Sequence, residues 1–124
     1  MATPLHLLIL EDNPSDAELA VHELRRAGYE PIADRVETEQ DYRDHLQPAP
    51  DIILAAFTMP NFDSLRALEI MQERHLDIPF IIVSGTIGEE RAVQVMQRGA
   101  TDYIMKDRLG RLGQAVGHLS LIHI

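Results

Sequence analysis

Three separate stretches of this chain carry the side chains best suited to chemistry. Glu11 and Asp12 offer two adjacent carboxylates, Ser84 a hydroxyl beside Gly85, and Lys106 an ammonium beside Asp107. A fourth stretch, Ala56-Phe57-Thr58-Met59-Pro60, contributes a hydroxyl at Thr58 and no charge. The loop Glu11-Asp12-Asn13-Pro14 is acidic and free of glycine, so it repels phosphate unless a metal intervenes. A lysine that ends a buried segment needs an acid nearby, and Asp12 is the obvious partner for Lys106. The six histidines show no metal-ligand spacing; His22, His45 and His75 read as helix-surface residues.

These stretches become one site only if the elements before them bring them together. Each follows a short, continuous apolar run, at residues 5–10, 52–56, 80–83 and 103–105. Continuous rather than alternating runs are expected of strands covered on both faces in a parallel sheet. A weaker run at 31–36 adds an edge strand. Helical patterns fill the gaps. Ala17, Ala20, Val21 and Leu24 keep helical spacing, with Asn13 or Ser15 as cap, capping-box spacing from Ser15 to Glu18, and Gly28 as stop. A short polar helix is expected over 38–47, a third over 63–75 and a fourth around Ala92, Val95 and Met96. A fifth begins near Arg108.

Strand and helix thus alternate about five times, which predicts an α/β fold: an open, doubly wound parallel sheet with helices on both faces. Functional groups in such sheets collect at the carboxyl ends of the strands, where all four stretches sit. Chance placement on an acidic surface is the plain alternative, and the position of each directly after a buried strand weighs against it.

At 124 residues the chain is one domain, 45% apolar and 25% charged. Its formal charge of −9 argues against gripping nucleic acid or an anionic membrane. No window approaches the length of a membrane span, and cysteine is absent, which fits a cytoplasmic location.

The landmarks ILEDNPSD, DIILAAFTMPNFD, IIVSGTIGEERAV and GATDYIMKD together resemble the response-regulator receiver family of two-component signalling, from Leu5 to about His118. The resemblance implies a flavodoxin-like sheet of five strands in the order 2-1-3-4-5. It implies that Glu11 and Asp12 hold Mg2+ with the Thr58 backbone carbonyl, and that Ser84 turns toward a phosphoryl group on activation. Tyr103 would follow that turn, and Lys106 would pair with phosphoryl oxygen. Sensor histidine kinases or neighbouring signalling domains are the implied partners. The implied docking face comprises the fourth helix, fifth strand and fifth helix, rimmed by Glu89, Glu90 and Arg91.

The family's D-x-x-M-P pattern places its nucleophilic aspartate four residues before Pro60, and Ala56 stands there. A methyl group cannot attack phosphorus, so aspartyl-phosphate chemistry is expected to be absent and Mg2+ to bind weakly at best. Two further departures are Asp107, where the family usually has proline, and Ser64 in place of a glycine, read as a tolerated loop change. The leading expectation is a receiver that works by protein contact, without enzymatic turnover. An ordinary receiver altered from Asp to Ala at position 56 by mutation or sequence error is the second. A doubly wound nucleotide- or flavin-binding enzyme would need the glycine-rich loop this chain lacks. Residues 119–124 match the in-frame translation of a transposase sequencing adapter and are read as non-native; a true apolar end to the fifth helix is the alternative.

Overall fold

The computed structural model describes residues 2–57, 59, 62–85 and 89–122, with the stretches 89–92 and 118–122 described by their backbone alone. Five strands run in parallel: β1 (Thr3–Leu10), β2 (Tyr29–Val36), β3 (Ile52–Ala56), β4 (Phe80–Ser84) and β5 (Asp102–Met105). Their order across the sheet is β2-β1-β3-β4-β5, as expected of the doubly wound arrangement. Helices α1 (Pro14–Arg26), α2 (Glu39–Asp44), α3 (Ser64–Glu73), α4 (Glu89–Gln97) and α5 (Leu112–Ile122) occupy the crossovers and the end.

Side-chain parity along the strands divides the core in two. Leu8, Leu10, Ile53, Ala55 and Ile82 pack with residues of α2, α3 and α4. Leu7, Ile9, Ile52, Leu54, Val83 and Ile104 pack with residues of α1 and α5. Burying both faces explains why these strands lack the polar alternation of a half-exposed sheet. β2 lies at the edge and is exposed or half-buried everywhere but at Val36, which accounts for its weaker signal.

Helix boundaries follow local chemistry. Asn13 caps α1, its side chain accepting from the Ser15 amide at 2.9 Å, so the cap is Asn13 and not Ser15. Gly28 beyond its end has φ +99°, the left-handed conformation that favours glycine. Thr38 and Asp63 cap α2 and α3 in the same way. α2 is less polar inward than its sequence suggests. Tyr42 is fully buried, donates its hydroxyl to the Ala67 carbonyl at 2.8 Å, and packs at a tilt on Phe62. Burial pushes that phenol's pKa up, so it remains a donor.

Two expectations change. The last helix begins at Leu112, not near Arg108, because a 3-10 segment (Lys106–Arg111) intervenes, with Arg108 at non-helical φ −125°, ψ 31°. Ser64 is no loop residue: it is the first residue of α3, fully buried, and its hydroxyl has no hydrogen-bond partner among the described residues. The backbone of α5 continues helical into the 119–124 stretch, whose side chains lie outside the described residues.

Candidate functional site

Parity also decides which strand-tip residues meet. Along β1, Leu7 and Ile9 face α1 and α5, and Glu11 continues that phase. On β3 the same phase runs Ile52, Leu54, Ala56; past β5 it runs Ile104, Lys106. Glu11, Ala56 and Lys106 accordingly line one cavity of about 50 Å³, floored by Leu54 and Val83 and closed on the helix side by Asp16.

Lys106 Nζ donates to Asp16 Oδ2 at 2.6 Å and stands 3.4 Å from Glu11 Oε1. The expected partner, Asp12, is not the one it takes. Asp12 is exposed and out of phase with the cavity, whereas the first turn of α1 swings Asp16 back over the strand tips. Asp16 is therefore the residue that reading the strand ends missed. A carboxylate on the third residue of the helix, five after Glu11, was the available signal.

Glu11 is only 5% exposed. Burial raises its pKa, and hydrogen bonding with the Asp12 carboxyl adds to this; the Asn13 amide, donating to Oε2 at 3.3 Å, and the nearby Lys106 ammonium work the other way. The Glu11 backbone is fixed as well, its amide donating to the Val36 carbonyl at 3.1 Å and its carbonyl accepting from Arg35 at 3.0 Å. For Lys106, burial opposes the ammonium. The Asp16 hydrogen bond and the charges of Glu11 and Asp16 outweigh it, so its pKa is raised.

The remaining sequence-predicted residues stand apart from this cavity. Ser84 ends β4, buried and in phase with Ile82 on the α2–α4 side. Tyr103 packs against that same core, its hydroxyl donating to Met105 Sδ at 3.3 Å. Thr58 lies outside the described residues, as do the side chains of Glu89, Glu90 and Arg91. Among the described residues the one cis peptide is Gln47–Pro48, so Asp107 follows Lys106 in trans.

Among the described residues the donor set for Mg2+ is short of a ligand. That ion demands near-octahedral oxygen ligation, and here both Glu11 oxygens are engaged while β3 presents a methyl group. Among the described residues no three His, Asp or Glu side chains are grouped to hold a metal.

Comparison with known proteins gives the same architecture a family. A DNA-binding response regulator of the LuxR family from Staphylococcus aureus superposes with a TM-score of 0.80 at 20% identity, over 93% of this chain and 98% of that one. The Francisella response regulator 1452 receiver domain gives 0.74 at 17% identity, over 94% and 98%. At such identities these likenesses speak for the fold alone. In sequence, the transcriptional regulatory protein BaeR of Escherichia coli is 32% identical over 105 residues, and the phosphate regulon transcriptional regulatory protein PhoB of Klebsiella pneumoniae 26% over 106. Each match covers 81% of this chain but only 41% and 44% of those relatives. The family model for the response regulator receiver domain matches residues 7–116. A match of that extent makes this chain a member of the response regulator receiver domain family.

Proposed function

We propose that this receiver takes part in two-component signal transduction without accepting a phosphoryl group, and that it acts through protein contacts in the cytoplasm. Receiver domains interact with histidine kinases, and a kinase or a neighbouring signalling domain is the partner this reading assigns. The observation that carries it is Ala56: its methyl group ends β3 inside the cavity that holds Glu11 and Lys106, where the family's D-x-x-M-P pattern puts a carboxylate. Phosphoryl transfer needs a nucleophile aligned with phosphorus, and alanine has none. On the same reading Glu11, Asp12 and the Thr58 carbonyl are a weakened metal site. Ser84, Tyr103 and Lys106 are what remains of the phosphoryl pocket and its switch, and residues 119–124 are foreign to the domain.

Incubation with a small acyl phosphate and Mg2+, followed by intact-mass measurement, tests this. The chain is expected to gain nothing, while Ala56→Asp gains one phosphoryl group. Uptake by the unaltered chain would overturn the reading. The second reading, an ordinary receiver altered at one codon, is favoured by the intact neighbours of Ala56 and is decided by resequencing the gene.

A further inference from the structure

Lys106 spans the site rather than standing over it. It leaves the end of β5 and passes Gly85 so closely that a β-carbon there would lie 3.3 Å from Lys106 Cδ. It ends on α1, with Nζ 2.6 Å from Asp16 and 3.4 Å from Glu11. Three elements meet at this one ammonium: the tip of β1, the first turn of α1, and the 3-10 segment that Lys106 begins. Beneath it β3 offers only the Ala56 methyl, so no carboxylate from the sheet centre competes for the lysine.

We infer that Asp16 is a built-in occupant of this pocket: its carboxylate holds Lys106 across the strand tips and pins the 106–111 segment to α1 without any phosphoryl group. The inference rests on the proposed absence of phosphoryl transfer and adds a regulatory consequence, namely that the segment after β5 is held in one arrangement at all times. Three features make Asp16 suited to the task. It lies in the first turn of α1, where the helix dipole favours a negative charge. The short distance is that of a charge-assisted hydrogen bond. Both ends are already fixed, since Leu109 of the segment packs on the same core as Ala17 and Ala20 of α1, so little side-chain freedom is lost. With both partners about a third exposed, the pair contributes little to global stability. It acts as a positional constraint.

Hydrogen exchange of the full chain, compared with Asp16→Asn, Asp16→Glu and Asp12→Asn, tests this, with side-chain NMR of the Lys106 ammonium alongside. Asp16→Asn keeps the shape and removes the charge. It is expected to speed exchange of the 107–111 amides by about tenfold, a local opening change that leaves the strands unaffected, and to release the Lys106 ammonium protons to fast exchange. Asp16→Glu restores part of both, and Asp12→Asn changes neither. Unchanged protection in Asp16→Asn, or release by Asp12→Asn instead, would overturn the inference. Phosphoryl uptake by the unaltered chain is read separately by mass: it would sink the function proposed above while leaving the exchange result standing.

Discussion

Gly113, the second residue of α5, faces Ala27 at the end of α1 so closely that a β-carbon on the glycine would collide with the Ala27 Cβ. Two effects compete in Gly113→Ala. Helix propensity favours alanine by about 1 kcal/mol. Against it, the obstructing atom sits directly on the α1 backbone and has no rotamer to move to, and overpacking of that kind costs roughly 1–3 kcal/mol. The clash is expected to win, giving a net loss of up to about 2 kcal/mol in chemical denaturation. Gly117→Ala is the contrast: there the nearest atom is the Tyr29 hydroxyl at 3.2 Å, the far end of a side chain, so a smaller loss or a gain is expected.

Ser64 buries a hydroxyl that bonds to nothing among the described residues, directly after the residue that caps α3. Leaving such a group unsatisfied costs about 1–3 kcal/mol. Asp63 supplies the cap by accepting from the Leu65 amide at 3.1 Å, so the serine hydroxyl is not needed for it. Ser64→Ala is expected to stabilise the protein by about 1 kcal/mol, read as a higher denaturation midpoint with unchanged slope. A lower midpoint would mean that the hydroxyl has a partner after all.

The sheet was legible because its inner strands are buried on both faces, and burial of that kind writes a continuous apolar run into the sequence. The strand-tip residues Glu11, Ala56 and Lys106 followed from the same runs, since strand parity carries each of them to the α1–α5 face. Parity likewise leaves Asp12 outside the cavity that Glu11 lines, and separates Lys106 from Ser84 and Tyr103, a division that the strand ends alone do not reveal. Asp16 was harder to see. Its contact with Lys106 depends on the phase of α1 relative to the ends of two strands, one of them 90 residues away, and no local pattern encodes that angle. The burial of Ser64 was hidden for a similar reason: a serine in a loop and a serine at a buried helix start look alike in sequence.

Glu11 gives the pH dependence a sign. Its pKa in the folded chain lies above the ordinary 4.5, chiefly through burial. A group raised in this way contributes stability below its unfolded pKa, and that contribution is lost as pH rises through the folded value. Glu11→Gln cannot ionise and escapes the loss. Its stability relative to the unaltered chain is therefore expected to increase as pH rises from below about 4.5 through the raised folded value, and then to level off, whatever offset the lost Lys106 contact imposes. Urea titrations across that range check the slope, and a relative stability that falls with pH would contradict it.

Ala56→Asp, kept free of metal by a chelator, returns a carboxylate to a cavity that already holds Glu11 and Asp16 around one lysine. Ala56 is 5% exposed, so water does little to screen the newcomer. Lys106 is already committed at 2.6 Å to Asp16 and can serve the new group only by loosening that contact. Repulsion among three carboxylates sharing one cation is expected to outweigh the attraction, making the Asp form less stable by on the order of 1 kcal/mol. Denaturation midpoints of the two forms decide it: an Asp form that is the more stable without metal would mean that Lys106 has attraction to spare, and that Asp16 does not hold it as the geometry indicates.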